Sequence, residues 1–218
     1  MPHTTGFARA LAVGCLAALS AAPVAAAEED TQFWSSLTVA GPLGENLTGS
    51  AELEVRARSD DRGGEQVLTR ATAEYRLNPA VSVGGGLAYA EFDVGHEWRP
   101  FQQVIVRSGV LTFRTRLEQR FFSGADRMEL RLRQRVQAGF PLAEDTTFTV
   151  AGEVLGTLQS RNSGQDAQVE QWRAQLALRH RVLPHIEAMA GYQLLLTPRI
   201  GREDRLSHVP QIALTIRQ

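Results

Sequence analysis

The chain contains no lysine; all 23 of its basic residues are arginine. A guanidinium keeps its charge in almost any environment and offers a planar fork of donors, which suits a charge paired away from bulk water. Genomic base composition produces the same bias, so this absence weighs little alone. Cysteine is nearly missing. Cys15 is the single one and lies within the first 27 residues, so the chain beyond them has no disulfide, thiol nucleophile or cysteine metal site. No run of 18 apolar residues occurs beyond residue 27, which excludes a membrane helix there. An excess of one charge is missing too. The formal net charge is −1, which argues against a nucleic-acid partner. No His/Asp/Glu cluster has metal-ligand spacing, and no cofactor is implied.

What is present begins with a leader. Arg9, the apolar core "ALAVGCLAALSAAPVAAA" and the small residues Ala25, Ala26 and Ala27 before Glu28 read as a secretory signal over residues 1–27. Residues 28–218 then read as one domain of 191 residues or fewer, without a linker or low-complexity segment.

Beyond about residue 32 the hydropathy alternates with period two, the signature of strands. Ten long strands are expected at 46–58, 67–77, 81–92, 98–107, 110–122, 127–140, 146–158, 170–182, 186–197 and 206–217, with a shorter one at 33–40. Short connections such as "NPA", "SG", "PLAED" and "LPH" alternate with longer polar ones such as "SDDRGGEQ" and "QSRNSGQDAQV". Short turns at one end and longer loops at the other are the habit of an outer-membrane barrel.

Alternation alone does not say which face is outside. A soluble sandwich buries its apolar face, whereas a membrane barrel turns it toward lipid. The strands favour the barrel, because runs of about 10–13 residues far exceed the usual five or six and span a bilayer core when tilted. Aromatics of the apolar face also gather near strand ends: Tyr75, Phe140 and Phe148 at the short-turn end, Tyr89, Phe121 and Trp172 at the other. The fold class expected is therefore all-β: an antiparallel up-and-down transmembrane β-barrel of about ten strands, with twelve as the alternative. Segment 33–40 is left over. It lies inside the lumen, pairs partially at the seam, or is half of a pair in a twelve-stranded wall.

The charged face must then point inward. In "RMELRLRQRVQAGF" Glu129, Arg131, Arg133 and Arg135 share that face, and in "LTFRTRLEQRFF" Arg114, Arg116, Glu118 and Arg120 do. Glu52, Glu54, Arg56, Glu74, Glu153, Arg173, Arg179 and Glu187 complete a candidate charge network of the lumen. Across the "SGAD" hairpin, Arg120 is expected opposite Glu129 and Glu118 opposite Arg131. Arg116 and Arg114 then meet Arg133 and Arg135. Such like-charged pairs are destabilising unless an acid or an anion lies between them, so Glu52, Glu54, Glu74, Glu153 or Glu187 is expected to reach toward this block. The long loops carry the opposite sign in Asp60, Asp61, Glu65, Asp166, Glu203 and Asp204.

Catalysis finds little support. An acyl-transfer or hydrolytic site needs a nucleophile within reach of a base. His96, His180, His185 and His208 offer no such couple, since Ser207 and His208 are neighbours on a strand and point to opposite faces. "GGG" at 84–86 lies within a strand without a following helix, so it relieves crowding or permits a bend rather than cradling phosphate.

Three runs, "EWRPFQQVIVR" (97–107), "FRTRLEQRFF" (113–122) and "RMELRLRQRVQ" (127–137), together with "FWSSLTV" and "LNPAVSVGGGLAY", resemble the exported barrel family catalogued as domain of unknown function 2490. The resemblance extends over nearly the whole chain after the leader. It implies an outer-membrane barrel with no established reaction or ligand. One departure from the wider class is the end, where Ile216, Arg217 and Gln218 supply no terminal aromatic for the assembly machinery to read. The expected protein is a monomeric, non-enzymatic barrel of the outer membrane. Its lumen is occluded or narrow and rich in arginine, and its role is structural or the binding and passage of small anions. Its expected partners are membrane lipid, small anions and the barrel-assembly machinery. The alternatives are a lipid-modifying enzyme with its site at the barrel rim and a soluble periplasmic β-sandwich that binds a ligand.

Overall fold

A computed structural model describes residues 27–59, 64–93, 95–163 and 167–218. Residues 1–26, which carry nearly all of the expected leader, lie outside them, as do the loop acids Asp60, Asp61 and Asp166. The strands are β1 (Glu28–Thr31), β2 (Phe33–Pro42), β3 (Leu47–Ala57), β4 (Gln66–Arg76), β5 (Val81–Phe92), β6 (Gly95–Ser108), β7 (Leu111–Phe122), β8 (Glu129–Ala143), β9 (Thr146–Gln159), β10 (Gln168–Leu183), β11 (Ile186–Thr197) and β12 (Arg205–Arg217). Each strand from β2 to β12 pairs antiparallel with the next in sequence.

The wall closes through the segment that sequence reasoning left over. β12 pairs in parallel with β2, placing Gln211 opposite Trp34 and Arg217 opposite Ala40. β1 continues the same line, with Glu28 opposite Arg205 and Thr31 opposite His208. Between them the Gln32 N–H donates to the His208 carbonyl at 2.9 Å. β1 and β2 are thus one extended line along β12 in an unbroken register, and the closed wall has eleven strands. That count falls between the ten favoured by the sequence and the alternative of twelve. Of the three places open to residues 33–40, they take the seam.

Among the boundaries that differ from expectation, two shift by three residues. β6 starts at Gly95, so "GHE" belongs to the wall and not to a loop. β8 runs on through "PLA" to Ala143, with a register irregularity between Pro141 and Ala143. Proline lacks an N–H and is tolerated in sheets at such irregularities. The turn expected over five residues shrinks to Glu144 and Asp145. At the "NPA" turn, the Asn78 side-chain oxygen accepts from the N–H groups of Ala80 and Val81, both at 2.9 Å, which closes the chain as Asx turns do.

Apolar side chains of the outward face are exposed around the circumference, among them Leu53, Val104, Phe113, Val136, Leu176 and Ile212. Ionised side chains of the inward face are buried, Glu97 at 0% and Glu118 at 1%. The greasy side therefore faces outward. Tyr75 and Phe140 stand exposed near the short-turn end, and Trp98, Phe121, Trp172 and Tyr192 nearer the long-loop end, a two-girdle pattern. Gly84 and Gly86 face inward, on the side of the buried Ser82, Ala88 and Ala90. A Cβ at Gly86 would lie 2.0 Å from the Ala71 carbonyl oxygen and 2.8 Å from the Phe101 ring, and one at Gly84 would lie 2.6 Å from the Ala73 carbonyl oxygen.

The seam is testable in a chain with no cysteine beyond Cys15. Ser36 lies opposite Ala213, and neighbouring strands sit about 4.8 Å apart, within the range of about 4.4–6.8 Å that a disulfide bridges. The pair Ser36→Cys and Ala213→Cys is expected to yield a disulfide-linked peptide on mild oxidation. Recovery of both thiols as freely alkylated would mean that β2 is not in the wall.

Candidate functional site

The hairpin of β7 and β8 sets the centre of the interior. Its register places Arg120 opposite Glu129, Glu118 opposite Arg131, Arg116 opposite Arg133 and Arg114 opposite Arg135. Strand alternation aims all eight side chains inward. Glu118 accepts from Arg131 at 2.6 and 2.8 Å and from Arg133 at 3.0 Å. Arg133 in turn donates to Glu153 on β9, at 2.9 to 3.1 Å. Glu153 also accepts from Arg114 at 2.9 Å, with Arg173 of β10 at 3.6 Å. Glu118 and Glu153 are therefore the carboxylates that separate the stacked arginines. Of the five acids expected to reach toward this block, Glu153 is the one that does.

Toward the long-loop end the lattice continues through residues that sequence reasoning missed. Glu97 on β6 is held by Arg99 at 2.7 and 2.9 Å and by Arg120 at 2.7 and 3.1 Å. Arg120 also donates to Glu129 and, at 3.2 Å, to Glu170. Glu170 accepts from Arg131 at 3.1 Å and from the Thr157 hydroxyl at 2.8 Å. Glu97 was hidden because "DVGHEW" reads as a loop; Arg99 fell inside the expected strand 98–107 but was not assigned to the inward face, although its parity with Phe101 and Gln103 was the available signal. Glu170 was hidden by a bulge. The register of β10 against β9 slips between Val169 and Gln171, which brings Glu170 to the same side as Gln171.

Two arginines of the expected network rest mainly on amides. Arg116 donates to the Gln103 side chain at 2.7 and 3.0 Å, lies over the Phe101 ring at 4.1 Å, and has Glu118 only at 3.8 Å. Arg135 donates to Gln175 at 2.6 Å and to Gln137 at 3.2 Å. Gln175 donates to Gln211, and Gln211 to Gln193, at 2.6 and 3.3 Å. The remaining expected residues are not drawn into the lattice. Glu54 pairs with Arg56 at 2.5 Å, Glu52 with Arg70 at 2.8 Å, Glu187 with Arg179 at 3.0 Å, and Glu74 with Arg107, another residue not foreseen, at 2.7 Å.

The histidines lie apart from this interior. His208 faces outward and shares a hydrogen bond of 2.5 Å with the Tyr192 hydroxyl, while Ser207 faces inward and donates to Asp30 at 3.0 Å. His180 and Thr146 are 2.9 Å apart near the short-turn end. Among the described residues, no group of three or more His, Cys, Asp or Glu is placed to hold a metal ion.

With this geometry in view, the comparisons decide the family. The model of a protein family of unknown function, DUF2490, matches residues 31–206. The chain belongs to the DUF2490 family. An uncharacterized protein of Methylorubrum extorquens is 28% identical over 95% of this DUF2490 chain and 96% of its own length. Among solved structures, the NanC porin superposes with a TM-score of 0.54 at 14% identity, covering 80% of this chain and 91% of that one. A KdgM porin does so with a TM-score of 0.49 at 12% identity, over 72% and 81%. The fold is that of a porin-like β-barrel.

The lattice generates a stability prediction. Removing one partner of a buried ion pair strands the other charge and costs about 3–5 kcal/mol, whereas exposed pairs contribute about 1 kcal/mol or less. Glu153→Gln is expected to lower unfolding stability in detergent or bilayers by the larger amount, because Arg114, Arg133 and Arg173 then face one another. Glu74→Gln, whose partner Arg107 is 43% exposed, is expected to change it by less than about 1 kcal/mol. Equal effects would show that the lattice does not brace the wall.

Proposed function

We propose that this protein is a non-enzymatic outer-membrane barrel with a narrow interior that takes up and passes small anions along one side. The observation that carries the reading is an asymmetry of packing. On the side of β6–β9, the carboxylates of Glu97, Glu118 and Glu153 are 0–1% exposed, so water-sized gaps around them are filled. On the side of β3 and β4 the carboxylates are more exposed, Glu52 at 24% and Glu54 at 17%. The charge balance supports an anion. In the central cluster Arg99, Arg114, Arg116, Arg120, Arg131, Arg133, Arg135 and Arg173 stand against Glu97, Glu118, Glu129, Glu153 and Glu170, a surplus of positive charge that a polar lumen turns into selectivity.

The same reading includes export through the leader at 1–27, insertion by the barrel-assembly machinery, and a monomer surrounded by outer-membrane lipid. Purified protein in a planar bilayer under a salt gradient is expected to give small conductance steps whose reversal potential marks anions as the preferred carriers. Glu52→Gln is expected to strengthen that preference. Silence from demonstrably inserted protein would overturn the passage and leave a plugged, structural barrel. Cation preference would overturn the charge argument.

A further inference from the structure

We infer that the long-loop mouth of the barrel holds a discrete binding pocket for a small oxyanion, a carboxylate or a phosphate. The cavity has a volume of about 220 Å³ and is walled by Arg56, Arg58, Arg173, Arg205, Trp34 and Gln171, among others. It brings together four guanidiniums from three places in the sequence: Arg56 and Arg58 from β3 and its end, Arg173 from β10 and Arg205 from β12. A planar fork matched to two oxygens is the geometry by which arginine holds carboxylate and phosphate.

Arg173 is the key residue. Its Nε donates to the Gln171 side-chain oxygen at 2.7 Å, an uncharged acceptor. Its nearest carboxylate, Glu153, stands at 3.6 Å, beyond hydrogen-bond reach, and already serves Arg133 and Arg114. The Arg173 side chain is nonetheless 13% exposed, in the wall of this cavity. Arg56 is fixed from both sides, by Glu54 at 2.5 Å and by the Trp34 ring at 4.0 Å. Arg173 lies 5.7 Å from the same ring, so Trp34 spaces the two cations. Arg58 is anchored by donating to the Gly64 carbonyl at 3.1 Å. Acids are near and engaged: Glu54 by Arg56, and Asp30 by Gln32 and Ser207 at 2.8 and 3.0 Å.

Size sets the ligand class. A water occupies about 30 Å³ of liquid, so 220 Å³ takes a solute of roughly seven heavy atoms. Pockets for drug-sized ligands begin near about 300 Å³. Phosphate and a short dicarboxylate fit; an oligomeric chain would leave most of itself outside.

This site rests on the reading that anions enter from the long-loop side, but not on their crossing the barrel. The test follows the pocket's own fluorophore. The tryptophans are Trp34, Trp98 and Trp172, and Trp98→Phe with Trp172→Phe removes the two that stand on the outer girdle. Folded protein in detergent is titrated with succinate, with inorganic phosphate and with chloride at constant ionic strength. The expected result is a saturable change in Trp34 emission with succinate or phosphate and none with chloride. The apparent affinity should fall at least tenfold in Arg173→Gln, with Arg173→Lys in between because it keeps charge without the fork. Arg58→Gln, at the mouth, serves as a second loss variant should Arg173→Gln fail to fold. A linear response, or a saturable one unchanged in the folded variants, would overturn the site. Saturation with a silent bilayer would keep the pocket and remove the passage; conductance without saturation would do the reverse.

Discussion

Hydrocarbon offers a backbone no hydrogen-bond partner, so a sheet that crosses it must satisfy every N–H and C=O within itself. In this chain that requirement falls on β12. Ten strands of antiparallel meander leave one edge on β3 and one on β12, and the line from Glu28 to Pro42 covers both, antiparallel to β3 and parallel to β12. Parallel pairing of sequence-distant segments is what an odd count demands. The closed wall then leaves the side chains no freedom of assignment. Because neighbours on a strand point to opposite faces, a wall that shows leucine, valine and phenylalanine to lipid must turn its arginines and glutamates inward.

Burying that many charges is tolerable only if each is paired and its donors are used. At an effective dielectric of about 20, two like charges about 4 Å apart repel by about 4 kcal/mol. The register nevertheless sets Arg116 against Arg133 and Arg114 against Arg135. Glu118 and Glu153 resolve the conflict by each taking more than one guanidinium, with Arg133 spanning the two. Lysine offers a point charge where this arrangement uses a fork. Arg133 donates from Nε, Nη1 and Nη2 at once, which an ammonium on a flexible stem does not reproduce.

The barrel and its inward arginines were legible because both depend on period-two alternation and on local turns. The β7–β8 register follows from one short hairpin, and all four charged pairs across it stand where the sequence places them. What escaped was nonlocal or irregular. The seam joins residues about 177 positions apart, and nothing local in "FWSSLTV" selects β12 as its neighbour. Glu97 sits beside a glycine and a histidine that resemble loop residues, yet the strand holds because β5 pairs with it as far as Gly95. Glu170 reaches the interior through a bulge, which breaks the parity rule that located the rest. Glu52, Glu54, Glu74 and Glu187 were placed on the correct face but found nearer partners, since alternation gives a side and not a distance.

The uneven packing of the interior follows from a small feature of the wall. Gly84 and Gly86 let β5 close against β4 where side chains would collide with the Ala71 and Ala73 carbonyls. The missing side chain at Gly86 leaves room for the ring of Phe101, 1% exposed, over which Arg116 lies. The opposite half keeps shorter, separate ion pairs at β3 and β4 and a line of glutamines from Gln175 through Gln211 to Gln193. Amides donate and accept without net charge, so Gln193 and Gln211 are buried there without adding to the charge of the interior. Glycine on one strand thus leaves room for the ring that Arg116 covers.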